Sequence, residues 1–112
     1  MKEIEERDPH KAVDYIFANA KGFAKAKAER IYLEEYRKSL KAILMKRSLE
    51  ETIGAQEREA YAHQEYKDLL DGLKEAVELE ERLRWELVAA QTRVEIWRSE
   101  QANIRAEGRV TL

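Results

Sequence analysis

Cysteine is absent from the 112 residues. That excludes disulfides and thiolate metal sites, and it suits a reducing compartment. Proline occurs once and glycine four times, too few turn formers for an all-β fold. No apolar run approaches the ~20 residues of a membrane-spanning helix. The opening MKEIEERDPH is too acidic and polar for a secretory leader. A net charge of −2 gives no global attraction to nucleic acid or to anionic membranes. The glycines stand alone, so there is no Gly-rich phosphate loop. His10 and His63 fall at expected helix starts without a spaced partner, which points to capping or exposure rather than metal ligation. The few Ser and Thr residues have no base beside them. Nothing supplies the several Glu and the Glu-x-x-His pair of a bundle di-metal site. No catalytic residue, metal or cofactor is therefore assigned. The expectation is a soluble cytoplasmic protein that is not an enzyme.

Charge and helical period are abundant instead. Charged residues make up 39% of the chain, a composition suited to long solvated helices. Tyr66, Leu69, Leu73, Ala76, Glu80, Leu83, Leu87, Ala90, Val94, Trp97, Gln101 and Ile104 recur in alternating steps of three and four. Ten of these twelve are apolar or aromatic. This is an a/d seam, and it predicts a helix of about 40 residues, roughly 60 Å long. Glu80 is the one carboxylate in the seam. It is expected to meet a base of the facing arm, Lys27 or Lys38, or to specify register, and Gln101 is read the same way.

The first arm is less regular. Asp8-Pro9 reads as a helix start, because Asp can cap the first amides and Pro at the first helical position loses no needed donor. Residues 1–8 read as a disordered tail. A helical stripe over Val13, Phe17, Ala20, Ala24, Ala28, Tyr32, Tyr36, Leu40 and Ile43 predicts the buried face. A second set, Ile16, Phe23, Ile31, Leu33, Leu44 and Met45, lies off it. Asn19 to Gly22 predicts a bend or break, and Gly54 a left-handed C-cap. The expected architecture is all-α, a coiled-coil-like antiparallel helical hairpin over 9–107. Arm one spans 9–53, the connection 54–64 (with two helical turns over 55–62) and arm two 65–107, before a tail at 108–112. Trp85, Ala89, Thr92 and Ile96 line a face away from the seam, with Trp85 at position f. That face predicts a partner contact, foremost a second copy of the chain in a dimeric bundle or larger oligomer. The alternative is that residues 9–21 fold back over it.

Charge is segregated along the chain. Residues 21–47 hold nine basic and three acidic side chains, residues 50–81 three and eleven, and residues 82–109 six and four. A hairpin would place the basic run Arg37, Lys38, Lys41, Lys46 and Arg47 beside the acidic one, so that the arms neutralise each other and set register. A second basic group is formed by Arg84, Arg98 and Arg105 at position e with Arg93 at g. It is expected near Lys25 and beside aromatics. Such a face can serve a single strand of nucleic acid by phosphate contact and base stacking, weakly in view of the overall acidity. The plainer reading is a seam whose arginine stems cover apolar surface.

The run from Ala55 to Arg109 together with residues 29–42 resembles small helical proteins of temperate bacteriophages and prophages. Those proteins are encoded in early regions near recombination and replication genes. The features that carry the likeness are Gln56-Glu57-Arg58, Ala60-Tyr61-Ala62, Tyr66, Leu83-Arg84-Trp85 and Val94-Glu95-Ile96-Trp97-Arg98 ahead of Arg105. No activity is established for that group, so no functional residue carries over. The resemblance implies a viral early protein in bacterial cytoplasm. Three functions follow as expectations. The first is a non-enzymatic accessory protein of DNA recombination or replication, acting on itself and on a phage or host DNA-metabolism protein. The second is a weak single-strand DNA binder. The third is an inhibitor of a host nuclease or defence protein that presents the acidic segment 50–81.

Overall fold

A computed structural model describes residues 8–111. Residues 1–7 of the expected tail at 1–8, and Leu112, lie outside the described residues. Three helices follow in order: α1 (Pro9–Arg47), α2 (Ile53–Ala62) and α3 (Gln64–Thr111). Among the described residues there is no strand. The chain divides into two compact units, one of Met1–Phe23 with Arg82–Leu112, the other of Ala24–Glu81. In both units α1 and α3 pack against each other with their chains running in opposite directions.

The helix boundaries have local causes. Asp8 accepts the His10 amide at 2.9 Å, so the Asp-Pro start behaves as expected. Thr52 caps α2 by accepting the Ala55 amide at 3.2 Å. His63 ends α2 and opens α3, its Nδ1 accepting the Glu65 amide at 3.0 Å. Three expectations need correction. Helix α1 runs unbroken through Asn19–Gly22 for 39 residues, because one glycine costs only ~1 kcal/mol and seam packing on both sides outweighs it. Gly54 is not a C-cap. It sits in the first turn of α2 with no positive φ, and arm one ends at Arg47 instead. Gly108 does not begin a tail, since α3 continues to Thr111.

The seam of α3 is the predicted one over most of its length. Tyr66, Ala76, Glu80 and Ala90 are buried, and Leu69, Leu73, Leu83, Leu87, Val94 and Gln101 are half-buried. It stops short, however: Trp97 and Ile104 are exposed. Residues 102–109 are exposed on every side, because no described residue of α1 is left to face them.

The stripe of α1 is a different one from that expected. Ala12, Ala26, Leu40 and Leu44 are buried, and Ile16, Asn19, Phe23, Arg30 and Leu33 are half-buried. These positions also advance by fours and threes. With Ile16, Phe23, Arg30 and Leu44 at a and Ala12, Asn19, Ala26, Leu33 and Leu40 at d, they form a seam matching that of α3. Of the expected stripe only Leu40 is buried. Val13, Phe17, Tyr32, Tyr36 and Ile43 are exposed, as are Ala20, Ala24 and Ala28. Consecutive steps of four drift around a helix and cannot track a straight partner, whereas alternating steps can.

In the Ala24–Glu81 unit the core is Leu40, Leu44, Ala60 and Tyr66, with Met45 and Leu69 packed on it. Helix α2 enters this core through Ala60, and Tyr61 meets Tyr66 edge to face at 5.2 Å between centroids. In the other unit Ala12 and Ala90 are the buried residues, Tyr15 Oη donates to the Glu86 carboxylate and the Arg84 guanidinium lies 6.0 Å over the Phe23 ring. Glu86 holds the Tyr15 hydroxyl above its ordinary pKa by accepting its hydrogen bond, and burial adds to the effect.

Two stability outcomes follow. Gly22 and Gly72 have open space where a Cβ would stand and helical backbone. Gly22→Ala and Gly72→Ala should each raise stability by about 0.5–1 kcal/mol in urea unfolding. Leu44→Ala removes a core side chain and should cost about 2–5 kcal/mol. A loss on either glycine substitution would contradict the helical geometry.

Candidate functional site

The most constrained polar group is Glu80. It is 2% exposed in an otherwise apolar stretch of the seam, so its charge requires a partner. Arg30 supplies one, donating from Nε to Oε2 at 2.6 Å and from Nη2 to Oε1 at 3.1 Å. This is a two-pronged fork on a carboxylate. Arg30 also donates to Glu34 at 3.1 Å. These bonds, that to Glu80 foremost, raise the guanidinium pKa above its ordinary value. The expected bases do not take this place. Lys27 lies at position e, beside the seam rather than in it, and Lys38 bonds Glu35 on its own helix at 3.2 Å. Arg30 occupies the a position directly in the seam. Among the described residues no buried side-chain nitrogen or oxygen lacks a partner.

Around this pair the oppositely charged arms meet, as the hairpin reading expects. Arg47 bridges to Glu65 at 3.2 Å and Lys41 to Glu57 at 2.9 Å. Lys41 also lies 4.8 Å over the Tyr61 ring. Tyr61 and then Glu57 raise its pKa. Exposed pairs of this kind contribute ~0–1 kcal/mol each, so their effect is on register more than on stability.

The predicted arginine group is scattered in its contacts. Arg84 faces the Phe23 ring, and Arg98 bonds Glu95 of its own helix at 3.1 Å. Arg93 lines a shallow open depression with Ile96, Trp97 and Glu100, and Arg105 is exposed. Lys25 belongs to the Ala24–Glu81 unit and the four arginines to the other.

The predicted contact face is open. Trp85 and Ile96 are 62% and 52% exposed, and Ala89 and Thr92 are exposed between them. The Thr92 hydroxyl donates back to the Val88 carbonyl at 2.8 Å, so it is turned onto its own helix. Residues 9–21 do not fold back over this face, because they are the first turns of a continuous α1. The same unit exposes Phe17 at 82%. In the Ala24–Glu81 unit Tyr32 and Tyr36 stack at 6.0 Å and 9° while remaining exposed. Sequence reasoning missed this last group as a surface feature, since it had placed both tyrosines in the core.

Among the described residues no group of three or more His, Asp or Glu side chains is placed to hold a metal. No described helix is long and apolar enough to cross a membrane. Compared with family models, with curated proteins and with solved structures, the chain matches none of them.

Replacing Arg30 by Met should expose the constraint on Glu80. The buried carboxylate would then lose the Arg30 fork, and burial would raise its folded pKa above the ordinary ~4.3. A carboxyl group with a raised folded pKa stabilises the protein fully below its unfolded pKa and loses that contribution as pH rises. The deficit of Arg30→Met relative to wild type should therefore be largest at pH 7 and shrink towards pH 4 in urea unfolding. A deficit independent of pH would show that the Arg30 fork does not govern the ionisation of Glu80.

Proposed function

We propose that this is a non-enzymatic accessory protein that works through self-association and protein contacts. Its setting is DNA recombination or replication of a temperate phage, and a DNA-metabolism protein of the phage or its host is its second partner. The observation that carries the contact reading is the set of large apolar side chains that the seam leaves uncovered. The buried hydrophobic residues are Ala12, Ala26, Leu40, Leu44, Ala60, Tyr66, Ala76 and Ala90, mostly alanines, while Phe17, Trp85, Tyr32 and Ile96 are each more than half exposed. Burying an aromatic side chain contributes far more than burying a methyl group. A fold whose seam is already filled by leucines, alanines and aromatics, and which still leaves Phe17, Tyr32, Trp85 and Ile96 outside, has apolar surface to offer another protein. The phage setting is supported by the resemblance of residues 29–109 alone. The contact face is Trp85, Ala89, Thr92 and Ile96.

Two single substitutions separate this face from the seam. Trp85→Ala should weaken self-association with little change in melting temperature measured at low concentration. Leu87→Ala, on the seam side of the same helix, should lower stability by about 2 kcal/mol whatever the state of association. Equal effects of the two on melting would contradict the existence of separate faces.

A further inference from the structure

The Ala24–Glu81 unit carries a surface of its own. Position Tyr36 and Ile43 at g on α1, Tyr32 at the adjoining c, and Leu79 at g on α3. In antiparallel helices that meet through a and d, the g positions of both helices border the same side of the seam. All four residues are exposed, Tyr32 at 61% and the others near two fifths. The two tyrosines are stacked in parallel, so the patch is ordered before anything binds it. The opposite, e-side border also exposes apolar groups, Ile31, Leu70 and Val77. There, however, α2 stands against α1 through the Lys41–Glu57 bridge and the Lys41–Tyr61 contact. A protruding helix prevents another helix pair from lying flat on that side. The g side of this unit has no such obstruction among the described residues.

Charge chooses how a second copy would lie there. Within this unit α1 (residues 24–47) holds eight basic and three acidic side chains, and α3 (residues 64–81) two basic and seven acidic. Asp68, Asp71, Glu75 and Glu78 occupy the c and f positions of α3 and are all exposed, so they form an acidic edge to the patch. Lys25 and Lys46 take the c positions bordering it on α1, with Glu29 and Glu35 also exposed there. Two copies can meet on this patch in two ways. A two-fold axis across the helices sets α3 on α3 and brings the acidic edges together. A two-fold axis along the helices sets each α1, whose border is mixed in charge, on the other copy's α3 and keeps the two acidic edges apart. Like-charge juxtaposition is the stronger discriminator of register and partner orientation.

We propose that the g side of this unit is a contact between two copies of the chain, paired about an axis along the helices so that α1 of each lies over α3 of the other. This rests on the self-association proposed above and adds a second contact patch and an orientation. It places the two α1–α2 connections, residues 48–52, at the same end of the pair.

The absence of cysteine makes the orientation measurable. Leu49 in that connection is 97% exposed. Leu49→Cys labelled with a nitroxide gives one probe per copy, and the distance between probes is read by pulsed electron resonance. Helix axes pack ~8–10 Å apart, so the proposed pairing predicts a separation of about 20 Å. The opposite pairing, centred on Tyr32 and Tyr36, puts the probes at opposite ends, about 45 Å apart at ~1.5 Å per residue. Sedimentation of the same labelled protein gives its mass. A dimer with the short distance supports the proposal. A dimer with the long distance overturns the orientation and leaves self-association standing. A monomer overturns both. The double variant Tyr32→Glu with Tyr36→Glu should raise the dimer dissociation constant at least about tenfold while helix content by circular dichroism stays unchanged. An unaltered constant would show that the contact lies elsewhere.

Discussion

The pair of Arg30 and Glu80 fixes how the two long helices meet. A carboxylate only 2% exposed tolerates few alternatives: sliding α1 along α3 by one heptad in one direction would set Phe23 against Glu80 and bury the charge without a base, and only the opposite slide, which brings Arg37, would offer another guanidinium. Leu, Ala and Val seam positions do not discriminate in this way, since apolar layers exchange with one another at small cost. Buried ion pairs often add little to stability compared with an apolar pair of similar volume. Their better-attested effect is selection among registers, and this seam needs it. Leucine is its commonest residue, and one leucine layer offers little shape to distinguish it from the next.

The rest follows from that register. With Arg30 against Glu80, Arg47 reaches Glu65. Lys41 meets α2 through Glu57, and α2 closes the core around Leu40, Leu44, Ala60 and Tyr66. Three bridges join the oppositely charged segments of this unit, Arg30–Glu80, Lys41–Glu57 and Arg47–Glu65, so part of the charge segregation is used inside the fold. What the register leaves over is apolar: a Trp and an Ile on one helix, a stacked tyrosine pair on another, and a phenylalanine near the start of α1. Those residues are the apolar surface on which the proposed contacts rest.

Some of this was legible in the sequence and some was hidden for identifiable reasons. The α3 seam was visible because ten of its twelve positions are apolar, and the alternation is unbroken. Its exposed end was not, since the pattern runs on through Trp97 and Ile104 beyond the point where α1, beginning at Pro9, can face it. The α1 seam was obscured by its own composition. Asn19, Arg30 and Arg37 interrupt it with polar side chains, while a stripe without any polar residue, beginning at Val13, ran alongside. Regular alternation of fours and threes from Ala12 was the available signal, and hydrophobicity outweighed it. The same displacement hid Arg30 as the partner of Glu80 and put Tyr32 and Tyr36 in the core. Gly54 looked like a stop because a glycine after an apolar arm usually is one, although Thr52 two residues earlier had the chemistry of a cap. The open Trp85 face was legible because position f of a seam helix is the position furthest from its partner.

The central claim is that the apolar residues outside the seam exist to be covered by other protein, first of all by another copy of the chain. Light scattering of the unmodified protein across micromolar concentrations tests this most directly. The account predicts a mass at least twice that of the single chain, shifting towards the single-chain mass on dilution. A single-chain mass at every concentration would contradict it.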